Sequence, residues 1–283
     1  MNSAEPFGIP QNLRQHTREV PEGGGEFCAF QTATYSHLAY QITTRILDIV
    51  VSVVALTLLL PVMLVIGILV RIDSPGPALF RQIRIGLNRR RSNRRGNERP
   101  NQQSSERRKQ NLFGMPFAIY KFRSMYADAR ARFPELYTYT YSEEERHTLP
   151  IKILVAKKGA SCSSGSQGYE DSDPRVTRLG RWLRRTSFDE LPNFLSVLKG
   201  DMHLVGPRPD ITENIRYYSD LHMHILDVKP GITGLAQVNG RGTLSFLKTN
   251  EYDIEYVSRR SLVLDLQILF KTILVSIKRD GAF

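Results

Sequence analysis

One charge-free stretch dominates the hydrophobic pattern. From Ile49 to Val70 the chain reads IVVSVVALTLLLPVMLVIGILV, apolar on every helical face. As a straight helix it would reach roughly 33 Å, about the hydrocarbon thickness of a bilayer. Pro61 sits near its middle, where a proline removes one helical hydrogen bond and predicts a kink. Arg45 and Asp48 flank one end, and Arg71 and Asp73 the other. Two topologies are compatible with this pattern. A straight span would leave residues 1–40 on the far side; a helix bent at Pro61 would enter and leave by one face. The basic loop that follows favours the cytosol for the C-terminal bulk and does not fix the tail.

From Asp73 onward the pattern is that of a water-soluble domain. SPGPALF reads as a turn and a short extended piece, and PFAIYKFRSM as its strand partner. Ala127 to Glu135 has helical character. The stretch from Tyr137 to Asp173 is irregular, with a Ser/Gly-rich centre that predicts a flexible loop over 157–172. Arg175 to Lys199 is a helical region, and Ile211 to Val228 predicts a second helix. Ser261 to Lys278 is apolar on most faces with Asp265, Gln267, Lys271 and Lys278 between, which fits a core helix or one lying in a membrane interface. Residues 1–41, with Gly23, Gly24 and Gly25 in a row, read as a disordered or loosely docked tail without the apolar core of a signal peptide. No internal repeat is visible.

Charge sharpens this division. The formal net charge of the 283 residues is +11, and the insert at 88–111 holds nine Lys/Arg against Glu98 and Glu106, so +7 of it sits there. The high isoelectric point therefore describes one segment, readable as a solvated loop, a contact for anionic lipid headgroups or a nucleic-acid contact. Cys28 and Cys162, the two cysteines, show no C-x-x-C or Cys/His spacing, which argues against a disulfide framework and a structural zinc site.

Three clusters could carry chemistry. In RRTSFDE, the adjacent carboxylates Asp189 and Glu190 follow Arg184 and Arg185; two acids beside two arginines suit a phosphate and a divalent cation, and a carboxylate can also attack phosphorus. A plain acidic pair at a helix start is the alternative. In GDMHLVGPRP, Arg208 is held between Pro207 and Pro209, so its fork is presented with little backbone freedom; the alternative is a proline-rich turn. In KPGITG and QVNGRG, close glycines permit tight turns or near approach of a ligand, with neither a Walker A nor a Rossmann spacing.

Taken together and in order, these segments resemble the bacterial sugar transferases, the monotopic polyprenyl-phosphate phosphoglycosyl transferases. The likeness is carried by Pro61 in the apolar helix, FRQIRIG at 80–86, YKFRSM at 120–125, DPRVTRLGRWLRRTSFDELPNFLSVLKGDMHLVGPRP at 173–209, KPGITGLAQVNGR at 229–241, YDIEYV at 252–257 and the closing DGAF. It covers about residues 42–283. The resemblance implies an α+β, mainly helical fold: a reentrant membrane helix over 42–72, bent at Pro61, and a cytosolic catalytic domain over 73–283 with a small β-hairpin or sheet. Members often carry Ser before this proline; Leu60 stands here, so the bend lacks a hydroxyl to bond freed carbonyls. The basic insert is also unusual for the family.

The implied activity is a two-step transfer. Asp189 attacks the sugar-linked phosphorus of a UDP-sugar and releases UMP, and polyprenyl (undecaprenyl) phosphate then takes the phosphosugar from the aspartate. The resemblance places Glu190, with Asp189, near Mg²⁺, and gives phosphate roles to Lys121, Arg184 and Arg208. Gln237, Asn239 and Arg241 fall in a region assigned to the nucleotide, and Asp253 is a further candidate. It implies the bacterial inner membrane, with the catalytic domain facing the cytosol, priming of a surface polysaccharide, and lipid as a partner with no nucleic acid. The sugar is not specified, and a homodimer is left open. Two rivals stand beside this reading. A single-span glycosyltransferase attacking the sugar carbon would release UDP, and a membrane-anchored scaffold would depend on the insert rather than on Asp189.

Overall fold

The structure is a computed structural model that describes residues 34–88, 114–137, 140–150, 173–240 and 242–278. The tail before residue 34, almost all of the basic insert, and the loop predicted at 157–172 lie outside the described residues. Two compact units divide the chain, Met1–Ile42 and Thr43–Phe283. Of the first, only the opening turns of helix α1 are described.

Helix α1 runs Thr34–Asp73 and contains Pro61. It therefore starts inside the stretch read from sequence as tail. Helical structure continues on both sides of Pro61, whose ring nitrogen cannot donate to the Thr57 carbonyl. At 1.5 Å per residue its 40 residues would extend roughly 60 Å if straight, about twice a bilayer's hydrocarbon core. The window Leu38–Asp73 is long and apolar enough to cross a membrane, and only 11% of its most apolar stretch is buried within the protein.

Strands β1 (Leu79–Ile85) and β2 (Pro116–Phe122) form an antiparallel hairpin, with Phe80 opposite Lys121 and Arg84 opposite Phe117. Gly86 N–H donates to Met115 O at 3.0 Å and Met115 N–H to Leu87 O at 3.2 Å, so the basic insert is the connection of this hairpin. Two short helices follow, α2 (Ala129–Arg132), continued by a 3₁₀ turn at Pro134–Tyr137, and α3 (Glu143–Thr148). Ser142 starts α3 with a capping box to Glu145.

The predicted helical region at Arg175–Lys199 is built in three pieces: α4 (Arg178–Thr186), a 3₁₀ segment (Phe188–Asn193) and α5 (Phe194–Lys199). Thr177 caps α4, its side chain accepting from Gly180 N–H, and Ser187 ends it in a left-handed conformation, φ 58°. The helix predicted over Ile211–Val228 is instead two 3₁₀ segments, Thr212–Tyr217 and His222–Asp227. Polar side chains compete with helical hydrogen bonding there: Asp210 accepts from Ile211 N–H at 2.8 Å, and Ser219 Oγ accepts from His222 N–H at 3.3 Å.

Between these pieces lies a feature the sequence read only as turns. Strand β3 (His203–Val205) pairs in parallel with β4 (Gly231–Thr233), and helices α6 (Leu235–Gly240), α7 (Phe246–Arg259) and α8 (Leu262–Lys278) complete the chain. The backbones meet so closely that a Cβ on Gly231 would lie 2.1 Å from Gly206 N and 2.5 Å from Thr233 O. The principal core joins Ile119, Val197, Met202, Leu204, Val205, Val238, Tyr256 and Ile268, with Leu47 and Val51 of α1 and Leu264 and Leu269 of α8 packed against it. A second cluster joins Ile66 and Val70 of α1 to Phe122 and Leu183, with Phe188 and Leu191 beside them.

Because both close contacts at Gly231 are to backbone, no side-chain rotation relieves them. Gly231→Ala is expected to destabilise the fold by at least about 2 kcal/mol. Gly67→Ala, whose added Cβ would meet nothing nearer than 3.9 Å, serves as a near-neutral control. Thermal unfolding in detergent distinguishes the two, and equal melting of both variants would contradict the close-approach argument.

Candidate active site

The site grows from three segments distant in sequence. Strand β2 alternates its side chains, so Lys121 shares a sheet face with Phe117 and Ile119 and reaches the 3₁₀ segment after α4. That segment is pinned by Phe188 and Leu191, which pack with Ile66, Val70 and Leu183, and by the edge-on contact of Phe188 with Trp182 at 5.5 Å. Asp189 and Glu190 are thereby turned inward; Asp189 is only 8% exposed. Arg208 comes from the turn after β3.

The centre is Glu190. Its Oε1 accepts from Lys121 Nζ at 2.6 Å and from Arg208 Nη2 at 3.0 Å. Arg184 donates its Nε to Ser124 Oγ at 2.9 Å. Burial raises the Asp189 carboxyl to about 6, and the adjacent Glu190 charge pushes the same way, while Lys121, Arg184 and Arg208 pull it down. Burial lowers the Lys121 ammonium from its usual value against the opposing pull of Glu190. Two carboxylates thus face three cations in poorly solvated surroundings. One carboxylate is neutralised by direct ion pairs, and the other retains raised basicity.

A second layer lies behind Arg208. Arg84 donates Nη1 to Pro209 O at 3.2 Å and Nη2 to Gln82 Oε1 at 2.9 Å, which buttresses the Pro207–Pro209 turn. Asp210 accepts from Asn214 Nδ2 at 2.8 Å and Tyr218 OH at 3.3 Å. Asp253 on α7 is 4% exposed, and its Oδ1 has no hydrogen-bond partner. Burial holds its carboxyl well above the usual range, the Asp210 charge adds to this, and Arg208 opposes it. Sequence reasoning did not select Arg84, Asp210 or Tyr218. Arg84 lies inside FRQIRIG and Asp210 directly follows GPRP, so proximity to those motifs was the available signal.

The structure gathers Lys121, Arg184, Asp189, Glu190 and Arg208 into one electrostatic cluster and sets Asp253 against its Arg208 side. Gln237 and Asn239 make bonds elsewhere, although Gln237 Oε1 is buried without a hydrogen-bond partner. Gln237 Nε2 donates to Ile232 O at 3.0 Å, Asn239 Nδ2 to Leu235 O at 2.9 Å, and Lys271 Nζ donates to Asn239 Oδ1 at 2.6 Å. Those bonds stitch α6 to β4 and α8. Arg241 lies outside the described residues.

This geometry can be set beside known proteins. The bacterial sugar transferase family model matches residues 39–93 and 98–279, which include every member of the cluster. The chain belongs to the bacterial sugar transferase family. Its sequence is 33% identical over 240 residues to the undecaprenyl-phosphate galactose phosphotransferase of Salmonella typhimurium, covering 84% of this chain and 41% of that protein. It is 33% identical over 244 residues to the UDP-glucose:undecaprenyl-phosphate glucose-1-phosphate transferase of Escherichia coli, covering 83% of this chain and 40% of the relative. The protein of the same description from Caulobacter vibrioides is 33% identical over 254 residues, covering 87% of this chain and 74% of its own length. This sugar transferase family member thus spans about two fifths of the Salmonella and Escherichia proteins and three quarters of the Caulobacter one.

The raised Asp189 carboxyl carries a stability cost whose sign is fixed. The folded state holds the proton more tightly than the unfolded chain, so the penalty is absent below the ordinary value of 3.8 and complete above about 6. Asp189→Asn is expected to raise stability in EDTA near pH 8 by up to about 3 kcal/mol, with the gain fading below about pH 4. Melting curves across that range check it; a variant with no stability gain at the higher pH would contradict the burial argument.

Proposed function

We propose that this protein transfers a sugar phosphate from a UDP-sugar to a polyprenyl phosphate at a membrane surface, with Asp189 as nucleophile. The observation that carries the reading is the pairing of two roles in adjacent residues. Glu190 gives one oxygen, Oε1, to both Lys121 and Arg208, while Asp189 stays buried, basic and bordered by the same cations. The names of the relatives add the substrate classes, a UDP-sugar donor and an undecaprenyl phosphate acceptor.

In the first step an Asp189 carboxylate oxygen attacks the sugar-linked phosphorus. The bond from that phosphorus to the bridging oxygen breaks, and UMP leaves with the electron pair. In the second, an oxygen of the lipid phosphate attacks the same phosphorus, the aspartyl–phosphorus bond breaks, and the carboxylate is restored. Lys121, Arg184 and Arg208 spread the negative charge that builds in both steps, and they do so from pre-set positions in surroundings of low dielectric. Glu190 holds two of those cations in register.

The donor set also fits Mg²⁺. Among the described residues no group of three or more His, Cys, Asp or Glu side chains forms a closed metal cage. Two adjacent carboxylates, Asp189 and Glu190, match an ion that takes one or two carboxylates and completes its shell with substrate phosphate and water. Bound there, it would neutralise the diphosphate and relieve the repulsion between the two acids.

We further propose that α1 is reentrant, with both ends on the cytosolic side of the bacterial inner membrane. Both arms of the helix are tied to one body. Leu47 and Val51 pack with Val197 and Leu204, Ile66 and Val70 with Phe122 and Leu183, and Arg123 donates Nη2 to Val70 O at 3.1 Å and to Ser74 O at 2.6 Å. Between the arms, Val53, Val54, Leu58 and Leu60 are exposed. A span with its ends on opposite faces would separate contacts that are made to a single domain. Helix α8 supports the same seat: Val263, Leu266, Phe270, Ile273 and Leu274 form an exposed apolar stripe, while Ile268 and Asp265 face inward. Of the two sequence readings of this helix, the core one describes its inward face, and the interfacial one is proposed for the exposed stripe.

Product analysis tests the chemistry. A panel of UDP-sugars with polyprenyl phosphate and Mg²⁺ is expected to yield UMP and a polyprenyl diphosphate sugar, with Asp189→Asn slower by about 10³-fold or more. Release of UDP would overturn the reading in favour of attack at the sugar carbon. Topology is tested separately, in a background where Cys28 and Cys162 are replaced by Ser. Leu38→Cys and Ile72→Cys are expected to react with a membrane-impermeant maleimide from the cytosolic side only, whereas labelling of Leu38→Cys from the periplasm would show a straight span.

A further inference from the structure

Helix α1 is patterned inside out over its first arm. Thr44, Asp48 and Ser52, spaced four apart, are 7%, 2% and 0% exposed, while Ile46, Ile49, Val50, Val53 and Val54 face outward. The polar stripe therefore faces the catalytic body beside Leu47 and Val51, while these five apolar residues do not. Two polar residues of this arm, Arg45 and Asp48, have specific partners. Arg45 donates Nη1 to Val197 O at 2.6 Å and Nη2 to Leu198 O at 2.7 Å, filling two carbonyls in the last turn of α5. Gly200, with φ +85°, closes that turn, and a Cβ there would lie 3.4 Å from Arg45 Nη2. Asp48 Oδ1 accepts from Leu204 N–H at 2.9 Å, and its Oδ2 accepts from His203 Nδ1 at 2.5 Å. Leu204 N–H belongs to β3, whose neighbour His203 N–H is given to Pro230 O toward β4, so Asp48 takes the donor on the strand's open edge.

What the two side chains grip matters more than the grip itself. Helix α5 directly continues the 3₁₀ segment that carries Asp189 and Glu190. Strand β3 ends three residues before Arg208. Arg45 thus holds the segment behind Glu190, and Asp48 holds the segment leading to Arg208, from adjacent turns of one helix. The two segments meet at the 3.0 Å bond between Arg208 Nη2 and Glu190 Oε1. We infer that Arg45 and Asp48 are positioning residues, a clamp through which the membrane helix sets Arg208 against Glu190. Neither touches the reacting atoms. Their effect is registration: a displacement of about 1 Å in such a cluster costs about 10²-fold in rate, and a helix shifted in the bilayer would transmit that displacement.

The kinetic test rests on the proposed transferase activity, and the wild type settles that first. Given UMP release by the wild type, Asp48→Asn, which keeps an acceptor for Leu204 N–H but loses the charge toward His203, is expected to lower kcat about tenfold. Arg45→Lys, which cannot fork across two carbonyls, should do the same. KM for the UDP-sugar should stay within about twofold. The decisive readout is a double-mutant cycle with Arg208→Lys: because the clamp acts through Arg208, Asp48→Asn should cost less than about threefold in that background. Additive costs would overturn the inference while leaving the transferase reading intact, whereas a wild type that releases no UMP would sink the reading instead. Hydrogen exchange decides the clamp independently of turnover. Amides of residues 203–208 should exchange faster in both variants, with the Phe122 and Leu183 region unchanged. Unaltered exchange at 203–208, or loosening spread over the whole domain, would overturn the positioning role.

Discussion

One carboxylate oxygen organises the catalytic body: Glu190 Oε1, shared by Lys121 and Arg208. It ties the β1–β2 hairpin, the 3₁₀ segment after α4 and the turn after β3 into one place. All three side chains are largely withdrawn from water, so each charge costs desolvation energy that only its partners offset. The same arrangement decides what Asp189 becomes. With Lys121 and Arg208 committed to Glu190, the next carboxyl is less fully compensated, and burial leaves it a stronger base than a surface aspartate. In the proposed reading a more strongly neutralised Asp189 would be a weaker nucleophile, and an exposed one would lose the advantage of a fixed low-dielectric setting.

The second constraint is where that cluster sits. The 3₁₀ segment rests on the far arm of α1 through Phe188 and Leu191, and the near arm holds α5 and β3 through Arg45 and Asp48. Every element bearing a cluster charge is thereby packed on, or directly joined to, the one helix among the described residues that is long and apolar enough to cross a bilayer. In the proposed reading this matches the acceptor, whose phosphate lies at headgroup height while its tail stays in lipid. The exposed stripe of α8 shares the principal core with the near arm through Ile268, Leu264 and Leu269, so the two apolar surfaces belong to one packed unit.

Much of this was legible in the residues. A charge-free run of that length reports by composition alone a helix apolar enough to cross a membrane, and the hairpin was readable because extended apolar segments flank a polar insert. The order of the charged motifs identified Asp189, Glu190, Lys121, Arg184 and Arg208 as candidates, and the fold places them together. The failures have physical causes. KPGITG and HLVGPRP looked like turns because three-residue strands carry almost no period-2 signal, and their pairing joins residues 28 apart through the close approach of Gly206 and Gly231. The helix expected over Ile211–Val228 has adequate apolar spacing, but Asp210, Asn214 and Ser219 redirect its hydrogen bonds. Arg45 and Asp48 were seen as flanks of the apolar run; which way they turn depends on tertiary contacts about 150 residues away.

The central claim is a transient bond between Asp189 and phosphorus, and it is tested most directly without an acceptor. Enzyme incubated briefly with a UDP-sugar and Mg²⁺, then quenched and digested, is expected to carry one sugar phosphate on the tryptic peptide Thr186–Lys199, mapped to Asp189 by mass spectrometry. UMP should appear in an amount equal to the enzyme. Turnover in the full reaction with no such adduct, or an adduct on any other residue, would contradict the account.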